Sequence, residues 1–184
     1  MARTAALCAV VAIVGGGAVR FAHPAVDGGG EGGTPGLATV VRVVDGDTLV
    51  VEIGGHEEHV RLIGIDTPES VAHDRPVECF GAEASDHLAE LAPPGTAIRL
   101  ERDIEPRDRY DRLLAYVHRA GDDLFVNRAQ VAAGFAEASE YPPNTAHAAD
   151  LARDERHARA AGSGLWSACG SADVPIGPPP GEGP

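Results

Sequence analysis

The chain has 184 residues, a formal net charge of -13 at pH 7 and no lysine, so all 15 of its basic residues are arginine. Nonspecific coating of nucleic acids depends on many basic side chains that neutralise phosphates, and this composition excludes a protein of that kind. Any contact with phosphate must be local, and arginine is the side chain best suited to bidentate phosphate contacts.

The first 35 residues do not have the pattern of a folded domain. Arg3 precedes an alanine- and valine-rich stretch that ends near Val19, and a glycine-rich stretch follows at 28–33. The apolar stretch is shorter than the ~20 residues of a typical membrane span, and its composition predicts an export signal. Residues 1–35 are therefore expected to be a signal peptide or an uncleaved membrane anchor with a glycine-rich linker. The protein is expected to be secreted or anchored to the outer face of the cell membrane.

The next segments have the pattern of short strands. Two β-branched runs at 38–44 and 48–53 flank a turn, and Gly54-Gly55 predicts a tight turn into a third strand at 58–65. Three consecutive strands joined in this way form an antiparallel meander.

Helices and strands alternate after this meander. Helical spacing predicts a first helix at 80–91, and strands follow at 96–103 and 112–119. Two further helices are expected at 124–136 and 145–162. Features of the last helix are Thr145 as N-cap, an i,i+4 pair of Glu155 with Arg159, and Gly162 as its stop.

Five short strands with one inserted helix and helices after the last strand predict an α+β fold. The expected architecture is a five-stranded OB-fold β-barrel with about three α-helices, and barrels of this type bind nucleic acids or sugars. The domain is expected to span 36–170. The tail at 171–184 is rich in proline and glycine and is expected to be disordered.

Two cysteines lie in the expected domain, Cys79 and Cys169. An even pair in an exported chain predicts one disulfide, which would join the region before the first helix to the end of the last one. Two unrelated buried thiols are the alternative.

The segment 61–70 combines an apolar strand with polar chemistry. Arg61 shares a strand face with Ile63 and Ile65, so its guanidinium lies among core positions and needs an anion. Pro68 prevents the strand from continuing and fixes the backbone that presents the polar residues at its end. Taken alone, Arg61 would be expected to form an ion pair with Glu57 or Asp111.

Several short motifs occur in one order along the chain: VVDGDTLVV with RLIGIDTPE, then ECFGAEAS, DRYDRLLAYV, YPPNT and GLW. In this order, across about residues 38–169, they resemble the staphylococcal nuclease (thermonuclease) family. The resemblance implies an OB barrel with three helices. It also implies calcium-dependent hydrolysis of phosphodiester bonds in DNA and RNA, leaving 3′-phosphate ends.

The resemblance implies a role for each matching position of this sequence. The implied Ca²⁺ ligands are the carboxylates of Asp47 and Asp66 and the backbone carbonyl of Thr67. The implied catalytic residues are Glu69, which activates water, and the phosphate-binding Arg61 and Arg112. The implied substrate contacts are Arg109, Tyr110 and Tyr141. Two carboxylates and a carbonyl suit a hard dication and leave positions for substrate and water.

The sequence departs from the family pattern at a few positions and leaves some roles open. Ser139 and Glu140 stand where the family often has a further aromatic residue, and Asp111 replaces the usual glycine before Arg112. The Asp111 carboxylate could orient Arg112 or compete with phosphate for it. Glu69 could be a true base or a group that only positions water.

The retained acids and arginines favour a nuclease over a non-catalytic module. The nuclease is expected to be a monomer that acts on DNA and RNA without an obligate protein partner. Two other functions stay open: a non-catalytic OB-fold module that binds nucleic acid, and an exported structural domain that binds calcium for stability. The histidines of the HEEH stretch at 56–59 lie in a hairpin and lack the spacing of a zinc-protease motif, so they are interpreted as surface residues.

Overall fold

A computed structural model describes residues 37–70 and 77–176. The expected export segment at 1–35 and residues 177–184 of the expected tail lie outside the described residues. The described part of the chain contains seven strands and four helices: β1 (Leu37–Asp45), β2 (Thr48–Ile53), β3 (His56–Leu62), β4 (Ile65–Asp66), α1 (Gly81–Leu91), β5 (Ala97–Glu101), β6 (Leu113–Arg119), α2 (Val126–Ala132), β7 (Glu137–Ala138), α3 (Ala148–Ala161) and α4 (Leu165–Ala168).

Five of the strands close into a barrel in the order β1-β2-β3-β6-β5. The β3–β6 pair is parallel, and the other neighbouring pairs, including the closing β1–β5 pair, are antiparallel. The α+β class and the five-stranded OB-type barrel are therefore confirmed. The short strands β4 and β7 form a separate two-stranded sheet in which Asp66 lies opposite Glu137.

The barrel interior is filled by alternate residues of its strands. Leu49, Val51, Val60, Ile98 and Val117 are fully buried in one cluster. Burial of this apolar surface is the main favourable contribution to folding. Irregular pairing of β1 with β2 near Val40–Arg42 and Val43–Asp45 marks bulges, which bend a strand and help a small sheet to close.

The prediction of one continuous third strand at 58–65 is wrong. β3 ends at Leu62, and the chain turns at Gly64, which has a φ of 79°, before Ile65 and Asp66 pair with β7. A φ in this range is strained for any residue with a side chain. A Cβ at Gly64 would also lie 2.5 Å from Leu151 Cδ1. Because of this turn, Arg61 lies in the barrel and Asp66 lies in the small β4–β7 sheet.

The last long helix begins later than predicted. α3 starts at Ala148 with His147 at the N-cap position and no side-chain capping bond, so the N-cap prediction for Thr145 is wrong. The helix ends at Gly162, whose φ of 62° is left-handed, as predicted. The Glu155–Arg159 pair is confirmed, with 3.8 Å between carboxylate and guanidinium. The four-residue helix α4 has no counterpart among the predicted elements.

Residues 171–176, which the sequence pattern assigns to the tail, pair with the segment before α1. The amide of Cys79 donates to the Val174 carbonyl at 2.7 Å, and the amide of Ile176 donates to the Val77 carbonyl at 2.9 Å. The Cα atoms of Cys79 and Cys169 lie 6.0 Å apart with their sulfur atoms at bonding distance. Among the described residues, no helix has the length and hydropathy required to cross a membrane.

Candidate active site

Asp47 is presented by the tight turn between β1 and β2. A Cβ at Gly46 would lie 2.8 Å from both Ala84 Cβ and Thr67 Oγ1, so only glycine lets this turn pack against α1 and the chain after β4. The Asp47 carbonyl accepts a 2.9 Å hydrogen bond from the Leu62 amide. The turn is thereby fixed beside the end of β3, next to Arg61.

Arg61 bridges the two aspartates that the resemblance assigns to calcium. Its Nη1 atom lies 2.6 Å from Asp47 Oδ2, and its Nη2 atom lies 2.9 Å from Asp66 Oδ1. The Arg61 side chain is 19% exposed, so these contacts are only partly screened by water.

The ion pairs expected of an isolated Arg61 are wrong. Glu57 lies 3.3 Å from Arg42, and the Asp111 carboxylate lies 3.6 Å from Arg107. Both acids therefore belong to ion pairs at the surface. The guanidinium of Arg61 faces the acids at the end of its own strand instead.

A small cleft, here called the acidic cleft, lies around these groups and has a volume of about 200 Å³. Its lining residues lie at or just after the ends of β1, β3 and β4, with one arginine directly before β6: Asp45, Asp47, Arg61, Asp66, Thr67, Pro68, Glu69 and Arg112. All six residues that the sequence assigns to catalysis or metal binding therefore line one cleft.

The acidic cleft is lined by four carboxyl groups and two guanidinium groups. Burial raises the pKa of Asp47 to about 8, the Arg61 guanidinium opposes this rise, and the carboxylates of Asp45 and Asp66 add to it. Burial also raises the pKa of Asp66, again against the effect of Arg61. Burial thus destabilises the ionised form of both carboxyl groups, and a further cation in the cleft relieves this cost.

The donor set fits a hard divalent cation. The oxygens available are the carboxylates of Asp47 and Asp66 and the groups of Thr67 in the same cleft, and oxygen is the ligand that Ca²⁺ and Mg²⁺ prefer. No three His, Cys, Asp or Glu side chains within 37–70 and 77–176 form a ready-made metal cluster. An ion held here would thus rely on carbonyl, water and substrate oxygens beside the carboxylates.

Asp108 holds Arg112 at the acidic cleft. The Asp108 carboxylate accepts 2.7 Å and 3.0 Å hydrogen bonds from the Nε atom and the backbone amide of Arg112. Burial alone would raise the pKa of Asp108, but these bonds and the Tyr110 amide lower it, so the carboxylate stays ionised. The neighbouring Asp111 carboxylate pairs with Arg107 and not with Arg112. Its side chain is 88% exposed and faces Arg107.

A larger groove of about 500 Å³ adjoins the acidic cleft and is here called the aromatic groove. It is lined by Arg61, Asp66 and Arg112 and by the three residues expected to contact substrate, which are Arg109, Tyr110 and Tyr141. Tyr110 is 62% exposed and Tyr141 is 42% exposed. The Arg109 guanidinium lies 4.7 Å from the centre of the Tyr110 ring, which is a cation–π distance. The groove therefore presents aromatic faces and positive charge together.

Three buried polar side chains support the site but were not identified from the sequence. Asp108 orients Arg112, as described. Asn144 ties the two walls of the aromatic groove, since its amide exchanges 2.7 Å and 2.9 Å hydrogen bonds with the backbone of Glu105. Gln130 donates to the Gly46 carbonyl at 2.7 Å. A polar residue at an apolar-face position of a helix is the signal that could have indicated Gln130.

An OB-fold barrel with paired carboxylates and two guanidinium groups at one cleft defines a class of protein suited to phosphate esters. The family model described as "Staphylococcal nuclease homologue" matches residues 59–168. The thermonuclease of Staphylococcus intermedius is 40% identical over 127 residues, which cover 69% of this chain and 74% of that protein. The thermonuclease of Staphylococcus hyicus is 38% identical over 128 residues, covering 70% and 74%.

Endonuclease YncB of Bacillus subtilis is 36% identical over 134 residues, covering 72% of this chain and 62% of that protein. The chain belongs to the staphylococcal nuclease family, and relatives named thermonuclease and endonuclease support a nuclease function.

Proposed function

We propose that the protein is a calcium-dependent nuclease that hydrolyses phosphodiester bonds of DNA and RNA and leaves 3′-phosphate ends. The observation that carries the proposal is the convergence of Asp47, Asp66, Glu69, Arg61 and Arg112 on the acidic cleft. These residues come from separate strands and loops, and independent turns and surface ion pairs would have no reason to meet at one point. Family membership supports the same reaction class.

Asp47, Asp66 and the Thr67 carbonyl would hold the Ca²⁺ ion. When bound there, Ca²⁺ would neutralise phosphate charge and lower the barrier to bringing a hydroxide equivalent to phosphorus. The burial that raises the pKa of Asp47 supports this assignment, because a cation relieves the cost of an ionised carboxylate in that position.

Arg61 and Arg112 bind the oxygens of the scissile phosphate. Each guanidinium is oriented by a carboxylate, since Asp66 lies 2.9 Å from Arg61 and Asp108 lies 2.7 Å from Arg112. Forked donors held in this way cost little reorganisation as charge grows on the phosphoryl oxygens, so they stabilise the transition state more than the ground state. Glu69 accepts a hydrogen bond from the attacking water and aligns it, or takes its proton.

The aromatic groove holds the nucleotide next to the scissile bond. Arg109 provides charge for a neighbouring phosphate, and the exposed rings of Tyr110 and Tyr141 provide surfaces on which bases stack. Stacking is tolerant of base identity, which agrees with cleavage that has little sequence preference. The protein acts as a monomer in this proposal.

Export of the protein is part of the proposal. Residues 1–35 have the composition of a signal peptide or anchor, and the bonded pair Cys79–Cys169 is suited to an oxidising compartment. We infer a protein that is secreted or held at the outer face of the membrane.

The variants Arg61→Ala and Glu69→Gln test the assignment on a single-stranded oligonucleotide with Ca²⁺ present. Each is expected to lower kcat by about two orders of magnitude or more without unfolding the barrel. Arg42→Ala is the matched control, because Arg42 is an exposed barrel arginine that pairs with Glu57 at 3.3 Å. Normal turnover in either variant would refute the proposal. Oligonucleotide binding without cleavage under any divalent ion would favour the non-catalytic module.

A further inference from the structure

The backbone of Glu69 is held by the segment that precedes α1. The Glu69 amide donates to Glu78 Oε2 at 2.8 Å, and the Glu78 amide donates back to the Glu69 carbonyl at 2.9 Å. A Cβ at Gly81 would lie 2.5 Å from the Glu69 carbonyl oxygen, so the start of α1 packs directly on this peptide. The position of Glu69 in the acidic cleft therefore depends on where residues 77–81 lie.

Residues 77–79 are fixed in turn by residues 169–176, here called the C-terminal segment. Two backbone hydrogen bonds, from the Cys79 amide to Val174 and from the Ile176 amide to Val77, join the two stretches. The bond between Cys79 and Cys169 is the covalent connection between them. At its other end, Cys169 follows α4, which is anchored by the fully buried Leu165.

The same C-terminal segment supports the strand that ends at Asp66. The amide of Ala172 donates to the Glu137 carboxylate at 2.7 Å, and Glu137 lies opposite Asp66 in the β4–β7 sheet. The segment thus contacts the supports of Asp66 and of Glu69, which are separate parts of the acidic cleft.

The noncovalent docking of the C-terminal segment consists of the buried Ala172 and a few hydrogen bonds. Ile176 is 64% exposed and Val77 is 37% exposed, so little apolar surface is buried where the two stretches meet. Asp173 and Glu78 also bring negative charge toward Asp66, and like charges oppose docking. The disulfide is therefore the strongest connection between the C-terminal segment and residues 77–79.

We propose that the Cys79–Cys169 disulfide, acting through Glu78, positions Glu69 for catalysis, so that nuclease turnover depends on the oxidised bond. The inference rests on the proposed nuclease function. Reduction by a dithiol transfers two electrons and two protons to the disulfide and gives two thiols, while the dithiol becomes a disulfide. The barrel core does not include either cysteine, so the reduced protein keeps its fold and loses the alignment of Glu69.

This arrangement confines full activity to an oxidising compartment. Thiols stay reduced in the bacterial cytosol and form disulfides after export. A nuclease with this dependence is slow where the nucleic acids of its own cell lie and becomes fast once it has left.

The decisive experiment compares the oxidised protein with the double variant Cys79→Ser/Cys169→Ser under calcium. We expect kcat to fall about 10- to 100-fold in the variant, because small misplacement of a reacting group has an effect of this size. KM and the far-UV circular dichroism spectrum are expected to stay unchanged. A dithiol reductant should lower kcat of the oxidised protein to the same level and have no effect on the double variant.

Variants of Glu78 distinguish a disulfide that positions Glu69 from one that only stabilises the fold. Glu78→Ala is expected to lower kcat in the oxidised protein, whereas Glu78→Gln, which keeps an acceptor oxygen for the Glu69 amide, is expected to restore it. In the double cysteine variant, Glu78→Ala should cause little further loss, because the two changes act on the same contact. Equal kcat with and without the disulfide in folded protein would overturn the proposal.

Hydrogen exchange separates failure of this inference from failure of the proposed function. The Glu69 amide is expected to exchange faster after reduction, since its bond to Glu78 is then loosened. If the oxidised protein cleaves no nucleic acid under any divalent ion, the nuclease proposal fails, and this exchange measurement still tests the positioning of Glu69. Unchanged exchange at Glu69 would contradict the positioning role.

Discussion

Replacing Asp47 with asparagine should stabilise the metal-free protein while it abolishes catalysis. Burial raises the pKa of this carboxyl from 3.8 to about 8 in the folded state. The folded protein therefore binds the Asp47 proton more tightly than the unfolded chain does. The stability that this proton contributes is fully present below the unfolded pKa and is lost as the pH rises through the folded pKa.

The size of the effect follows from these two pKa values. At pH 7 the Asp47 carboxyl is ionised in the unfolded chain and still largely protonated in the folded protein. Since pH 7 lies about 3 units above the unfolded pKa of 3.8, the wild type loses about 4 kcal/mol of folding stability relative to a side chain that does not titrate. The asparagine amide resembles the protonated carboxyl in shape and never ionises. Asp47→Asn should thus unfold later at neutral pH by up to about this amount, and the advantage should vanish near pH 4.

Urea unfolding in the presence of a chelator, followed by the fluorescence of the single tryptophan, measures this difference at several pH values. The matched control is Asp122→Asn, because Arg119 holds the pKa of that exposed carboxyl at about 2 and its replacement should give no stabilisation at pH 7. Calcium should stabilise the wild type far more than Asp47→Asn. A variant no more stable than the wild type at pH 7, or a gain in stability that does not change with pH, would contradict this prediction for Asp47.

Three further predictions concern the exposed Asp111 and two residues that support the site, Asp108 and Gln130. Asp111 has a φ of 65°, so Asp111→Gly should be neutral or stabilising and keep normal kcat, whereas Asp111→Ala should lose about 1 kcal/mol in urea unfolding. Asp108→Ala should lower kcat about 10- to 100-fold with little change in fold, because Arg112 loses the carboxylate that orients it. Steady-state kinetics with Asp111→Gly as control would detect this loss, and an unchanged kcat would argue against a role of Asp108 in orienting Arg112. Gln130→Leu removes the donor to the buried Gly46 carbonyl and should cost about 1–3 kcal/mol of stability and weaken Ca²⁺ binding measured by calorimetry. Calcium affinity equal to that of the wild type would show that Gln130 does not position the Asp47 turn.

The individual barrel strands could be predicted because their sequence signals are local. β2 was predicted at its observed bounds, since β-branched residues between two turns leave few alternatives. The break at Gly64 could not be predicted, because the apolar run continues through it and the contacts at the bend come from distant residues. Ser139 donates to the Gly64 carbonyl at 2.9 Å, and Leu151 packs against the turn. The pairing of Ile65 and Asp66 with β7 likewise joins residues that are far apart in sequence.

The acids and arginines of the candidate site could be predicted from ordered motifs, but their supporting contacts could not. Asp108 and Arg112 are close in sequence, yet an acidic neighbour at Asp111 competes for the same interpretation, and backbone conformation decides between them. Gln130 acts across a separation of 84 residues on Gly46. Contacts of this range depend on how α2 packs on the barrel, and no single-sequence pattern encodes that packing.

The proposed reaction at the acidic cleft requires a divalent ion together with the acids and arginines of the cleft. Its most direct test is the initial rate of cleavage of a single-stranded DNA oligonucleotide by the oxidised protein, measured with Ca²⁺, then with excess chelator, then with Ca²⁺ restored. We expect rapid cleavage with calcium, loss of at least about two orders of magnitude in rate with chelator, and full recovery when Ca²⁺ is restored. Equal rates in all three conditions would contradict it.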